Sequence, residues 1–253
     1  MRSTVIFIVL LVLACSYQTV YPSDALEHEF EQGNEYYEQG DYTSAIDQYH
    51  RVLSTGVENP VLYYNLGNAY FKTGQLGYAI AMYNRGMKYD PRNDDLRANL
   101  RFARQQMIDK VDPAERNPIW NWIKGTILNL TANEWSALTS FFFLVIILIA
   151  SWMIWSRKRT SILKGLLTFV IVLFVVSSIG TGINVHLNFF TPKGTIVTPE
   201  VSVKVGPGDD FDEQFIAHEG LTFEILNQES GWYQGVFDNR LKGWVRISDA
   251  VKI

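Results

Sequence analysis

"GNEYYEQGDYTSAIDQY" occupies Gly33–Tyr49 and "GNAYFKTGQLGYAIAMY" occupies Gly67–Tyr83; the second is a worn copy of the first, displaced by 34 residues. At that offset Gly33 aligns with Gly67, Asn34 with Asn68 and Tyr36 with Tyr70. The register continues through Gly40 and Gly74, Ala45 and Ala79, Ile46 and Ile80, Tyr49 and Tyr83, and Arg51 and Arg85, and Tyr37 matches Phe71 in kind. Small residues recur where two helices must approach closely, and tyrosines recur where the space between them must be filled. "QGDY" and "TGQL" place a glycine at the turn that ends the first helix of each pair. The pattern predicts helix–turn–helix units at 26–59 and 60–93, with "DPRND" (Asp90–Asp94) as a proline stop.

The period and the residue types resemble the tetratricopeptide repeat. "DLRANLRFARQQ" follows, and its Asn99-Leu100 repeats Asn65-Leu66, which predicts a third helix of the first type capping the stack to residue 110. The resemblance implies a peptide groove along the first helices, lined here by Phe30, Asn34, Tyr37, Tyr64, Asn68, Phe71, Phe102 and Gln105. The asparagines resemble those that hold a peptide backbone or terminal carboxylate in some members. The lysines of a carboxylate clamp are missing, because Phe30 and Tyr64 stand in their places. A general peptide groove is the functional reading; packing of these aromatics against the third helix or another chain is the other.

Apolar residues make up 47% of the 253 positions, but they gather in blocks near 4–14, 136–155 and 165–185. That distribution predicts small soluble modules separated by membrane segments. The net charge is −4, and no basic patch is interleaved with aromatics, so a nucleic-acid partner is not expected. The opening "MRSTVIFIVLLVLACS" has one Arg before a short apolar run, and reads as a signal peptide within 1–25, cleaved somewhere in 16–25. A retained anchor is the alternative. "VLAC" also resembles a lipobox that would lipidate Cys15, although Leu13 is bulkier than that motif prefers. Cys15 is the only cysteine, so its removal would leave no disulfide, thiol or cysteine–metal chemistry.

"SALTSFFFLVIILIASWMIWS" (136–156) and "GLLTFVIVLFVVSSIGTGINV" (165–185) carry no charge, and each is long enough for one helical crossing. The loop between them, 157–164, holds Arg157, Lys158, Arg159 and Lys164 and no acid. Positive residues stay cytoplasmic, so both chain ends are expected outside, in agreement with the signal peptide. Between the repeats and the first span, 111–135 spaces Trp120, Ile123, Ile127 and Leu130 at near-helical intervals, and reads as an interfacial helix or a plain linker.

After Pro192 helical periodicity gives way to alternation: "TIVTPEVSVKV", "LTFEIL", "GWYQGVF" and "LKGWVRI" read as short strands separated by turns. "VSVKVGPG", "AHEGLTFEI", "SGWYQG" and "KGWVRISDAV" resemble the bacterial SH3-like family over 190–253. That resemblance implies a small barrel and a contact face around Trp232, Tyr233 and Trp244; the same aromatics could instead be its core. "DDFDE" (Asp209–Glu213) reads as a solvated acidic loop.

The four histidines are scattered without metal-ligand spacing, and no phosphate loop or nucleophile elbow occurs, so no cofactor, metal or catalytic activity is expected. The expected fold is a multidomain membrane protein: an α-helical repeat module, two transmembrane helices and a C-terminal all-β SH3-like barrel. That order, with "YYNLGNAYFKTGQLGYAI", "DPRNDDLRANLRFARQQMIDK" and "GWVRISDAVKI", resembles the BatE proteins of the bacterial Bat (aerotolerance) operon. The resemblance implies a scaffold in the inner membrane with periplasmic modules, working with other Bat-type membrane proteins and linked to oxygen tolerance or envelope stress. The alternative is a sensor or anchor binding peptidoglycan peptides through the C-terminal domain.

Overall fold

The computed structural model describes residues 24–109, 118–157, 160–237 and 241–253. Most of the expected signal peptide, with Cys15, lies outside the described residues, as do Lys158 and Arg159, residues 111–117 of the linker and the "DNR" turn. The chain divides between Gly56 and Val57 into two compact units.

The first unit holds helices α1 (Asp24–Glu38) and α2 (Tyr42–Ser54). Asp41 caps α2 by accepting a hydrogen bond from the Ser44 N–H at 3.1 Å. Gly40 turns the chain at φ +80°, and Gly74 does the same at +77° in the second repeat; a side chain resists that left-handed conformation. Ala45, Tyr49 and Val52 form the buried face of α2.

The second unit begins with α3 (Pro60–Lys72), α4 (Leu76–Tyr89) and α5 (Asp94–Gln105). Asn59 caps α3 through the Val61 N–H at 2.8 Å with Pro60 in the first turn, and Asn93 caps α5 through the Leu96 N–H at 3.0 Å. Leu62, Tyr63 and Leu66 of α3, Ala79 and Ile80 of α4 and Leu96 of α5 fill the space between these helices.

Next come α6 (Pro118–Leu128), α7 (Ala132–Ser156) and α8 (Ser161–Val185), the last extended by a π-helical turn at His186–Phe190. Both long helices start four residues before the spans read from the sequence. A capping box between Thr131 and Glu134 starts α7, and the Thr160 hydroxyl caps α8, so polar residues are drawn into each first turn. Lys164 therefore lies within the first turn of α8, while Arg157 ends α7.

The two helices are long and apolar enough to cross a membrane, and only 0% and 11% of their apolar windows are buried, unlike the core helices of a soluble protein. Polar groups gather where α7, α8 and α6 meet. The Thr139 and Thr181 hydroxyls lie 3.2 Å apart. Fully buried Asn184 donates to the carbonyls of Ile127 at 3.1 Å and Leu130 at 2.8 Å, and Trp135 Nε1 donates to the Ile127 carbonyl at 2.9 Å. These bonds satisfy the Ile127 carbonyl in the last turn of α6 and the Leu130 carbonyl just beyond it.

Among the described residues, seven strands follow: β1 (Lys193–Ile196), β2 (Glu200–Lys204), β3 (Glu213–His218), β4 (Thr222–Glu229), β5 (Trp232–Val236), β6 (Lys242–Arg246) and β7 (Ala250–Lys252). They form one antiparallel sheet in the order β3-β2-β6-β5-β4-β1-β7. The closed barrel expected from the sequence is corrected here to an open sheet, since its end strands β3 and β7 share no ladder. The edges are β3, which pairs with β2, and β7, which pairs with β1 and at three residues is too short to carry a second ladder. The first expected strand is also two, broken at Pro199, which cannot donate to a ladder. Strand β3 begins within the run read as an acidic loop, because Phe215 and Ala217 pair with Val203 and Val201.

Candidate protein-binding surfaces

The two repeats are built on one local device, repeated within each unit. Tyr49 packs against Gly33 and its hydroxyl donates to Asn34 Oδ1 at 2.8 Å; Tyr83 packs against Gly67 and donates to Asn68 Oδ1 at 2.8 Å. The glycine admits the ring, the ring fills the gap, and the asparagine satisfies the hydroxyl that burial would otherwise strand. Asn68 Oδ1 also accepts from Asn99 Nδ2 at 2.8 Å, so the repeated asparagines hold their own helices together. Sequence reading assigned them only to a ligand.

In the first unit, Phe30, Asn34 and Tyr37 lie along α1, all partly exposed. The Phe30 ring lies 5.8 Å from Tyr49, and that of Tyr37 is edge-on to Tyr42 at 5.1 Å. In the second unit, Tyr64, Asn68 and Phe71 lie on α3, and Phe102 and Gln105 on α5. Phe71 and Phe102 come together at 5.6 Å, yet Phe102 stays 55% exposed. An aromatic pair that leaves half of one ring in water is an apolar patch with donors and acceptors beside it, the composition of a peptide-contact surface.

The opposite side of the second repeat is covered by the chain's own sheet. The α4 backbone at Gly77 lies against Ile196 and Val197, where any side chain would collide with backbone. The Gly77 N–H donates to Glu219 at 3.2 Å, and Arg85 donates to the Lys252 carbonyl. Asp109, beyond α5, accepts from the His218 backbone N–H at 2.7 Å and contacts its Nδ1 at 2.9 Å. Ile80 and Met107 crowd the sheet at Gly220. Sequence reading missed these residues, since each contact joins positions more than 100 apart and no periodicity marks them.

Glu58 accepts a hydrogen bond from Tyr63, whose ring stacks at 6.1 Å on Tyr89. Burial first, then the bond to Glu58, raise the Tyr89 phenol to about 12 and push that of Tyr63 higher still. Trp232, Tyr233 and Trp244 are each only 8% exposed, leaving little of any ring for a ligand; Arg246 covers Trp232 at 5.4 Å and is paired with Asp209. Among the described residues no group of three or more His, Cys, Asp or Glu could hold a metal.

Residues 33–74 match the family model described as TPR repeat, and 60–93 match the model described as tetratricopeptide repeat. The helical module is thus TPR-like, and such repeats imply protein–protein interaction. Among solved structures, the chain is similar to the Sgt2 TPR domain from Aspergillus fumigatus, at 26% identity and TM-score 0.32, over 35% of this chain and 59% of that one. It is also similar to the first TPR of Spaghetti (RPAP3) bound to the HSP90 peptide SRMEEVD, at 24% identity and TM-score 0.20, over 34% of this chain and 96% of that one. Both likenesses are too slight overall to carry more than the repeats already do. No curated protein matches the chain.

Proposed function

We propose that the chain is a non-enzymatic scaffold of a bacterial inner membrane, with α7 and α8 crossing the bilayer and both soluble modules on its periplasmic side. The observation that carries this reading is the docking of α4 on the sheet. It joins a module before the first apolar helix to one after the second, which a two-span hairpin permits and a single crossing forbids. Arg157 at the end of α7 and Lys164 in the first turn of α8 flank the connection between the two helices, which supports a cytoplasmic turn. With α4 covered, the second repeat offers its first-helix side, where Phe71 and Phe102 are presented, to a protein partner.

The resemblance to BatE proteins supports partners of the Bat type and a link to oxygen tolerance or envelope stress. An SH3-like origin for the sheet remains part of this reading. Burial of Trp232, Tyr233 and Trp244 favours a scaffold over a peptidoglycan sensor. The test is co-purification from detergent of the intact chain beside Tyr37→Ala and Phe71→Ala, separately and together. Loss of a partner is expected; unchanged recovery would remove the first-helix surfaces from the proposal.

A further inference from the structure

The two ends of the open sheet differ. At β7 the helical module meets the edge: Arg85 of α4 donates to the Lys252 carbonyl, and β7 is only three residues long. The other end strand, β3, runs six residues as "EQFIAH" and carries neither proline nor lysine, two residues that blunt an edge. The direction of its backbone groups follows from two hydrogen bonds. The Glu219 N–H donates to the Pro199 carbonyl at 3.3 Å, so position 219 faces β2, and by alternation 217 and 215 do too. His218 and Ile216 therefore turn their N–H groups away from the sheet. The Asp109 carboxylate meets the His218 N–H there at 2.7 Å, filling the place of a carbonyl that an added strand would bring. Beyond that contact, the Ile216 N–H and carbonyl have no hydrogen-bond partner among the described residues. The bulge between Val203 and Lys204 falls at the start of β3, so 215–218 keep a regular register. Phe215 and Ala217 point into the core, where Phe215 is edge-on to Phe237 at 5.1 Å. Ile216 lies on the other face and is 44% exposed.

The approach to this edge is acidic. Asp210 and Asp212 are exposed and make no ion pair among the described residues. Asp209 is paired with Arg246, and Glu213 faces Lys204 across the ladder. Antiparallel pairing of two β3 strands about Ile216 would bring Glu213 of one copy to Glu219 of the other, acid to acid. The charges therefore favour a basic partner over a second copy of this chain.

We infer that the outer edge of β3 is a docking site for an extended segment of another protein, bearing lysine or arginine, which adds to the sheet as a strand. The backbone of that segment pairs with the N–H and carbonyl of Ile216, and an apolar side chain lies beside the Ile216 side chain. Its cations meet Asp210 and Asp212. The site depends neither on the first-helix surfaces nor on the two-span reading.

The experiment uses the full chain in detergent and, as probe, a short peptide of alternating lysine and valine with blocked ends. Fluorescence anisotropy reads affinity and hydrogen exchange reads location. Binding that weakens with salt and protects the Ile216 amide is expected. The same peptide N-methylated throughout keeps its charge but has no N–H to give, and should not bind. Ile216→Pro removes an N–H that no bond to β2 uses, so the fold should persist while affinity falls about 2- to 12-fold. Asp212→Asn should weaken binding about 1.5- to 5-fold, with the difference closing at high salt. No binding of the plain peptide, or equal binding of the plain and N-methylated peptides, would overturn the site, and that comparison stands even where Ile216→Pro fails to fold. A folded Ile216→Pro chain that binds as wild type would overturn it too. Self-association of the full chain that Ile216→Pro abolishes would give the edge to a second copy and overturn the basic partner.

Discussion

Gly67→Ala tests the device on which each repeat is built. A Cβ at Gly67 would stand 2.5 Å from Cε1 and 2.7 Å from Cδ1 of Tyr83, where ordinary contact is 3.4–4 Å. Tyr83 is 2% exposed and its hydroxyl is tied to Asn68, so the ring cannot swing away cheaply. Overpacking of this kind costs about 1–3 kcal/mol. Shifting the ring also weakens the bond to Asn68, adding about 0.5–1.5 kcal/mol. Alanine in a helix returns about 1 kcal/mol against glycine. The net expectation is about 1–3 kcal/mol of local destabilisation, or about 5- to 150-fold faster amide exchange in α3 and α4. Hydrogen exchange of the full chain in detergent, read by mass spectrometry on peptides from 60–89, measures it. Gly67→Ala/Tyr83→Leu should recover part of the loss by removing the rigid ring. The control is Gly125→Ala in α6, where a Cβ meets nothing within 4 Å, and exchange there should slow. Unchanged or slower exchange in α3 and α4 of Gly67→Ala would refute the reasoning, since helix propensity alone would then decide.

Three further outcomes are expected. Asp109→Ala strands the His218 N–H, which should cost about 1–3 kcal/mol and raise exchange across β3, with α1 and α2 unaffected. The phenol of Tyr89 rises from 10.0 to about 12, so the neutral form is favoured in the fold; that stability is complete below pH 10 and drains as pH climbs through about 12. Absorbance titration at alkaline pH should show Tyr63 and Tyr89 ionising last, and Glu58→Gln should advance both without normalising them, because burial is the larger cause. Asn184→Leu leaves the Ile127 and Leu130 carbonyls without their amide donor, and should loosen α6 as seen by faster proteolysis after Lys124.

The legible parts of this chain are those whose physics is local or periodic. The offset that pairs Gly33 with Gly67 also pairs Tyr49 with Tyr83, and because helix packing repeats with the sequence, both contacts could be read from one period. Helix stops at Gly40 and Gly74 and the start at Pro60 follow from single-residue backbone preferences. The two uncharged runs required helices, since a backbone in a long apolar segment must satisfy its own hydrogen bonds. Sequence alone did not reveal β3, whose pairing to β2 is made from the polar-flanked segment "EQFIAH", or the failure of the sheet to close. Strand pairing is a contest between distant segments, which alternation does not resolve. Nor did it reveal that Asn68 serves Tyr83 and Asn99. The docking of α4 on β1 and β7 was decided by tertiary structure. Its contacts depend on two apolar helices bringing residues 77–109 back to residues 193–253.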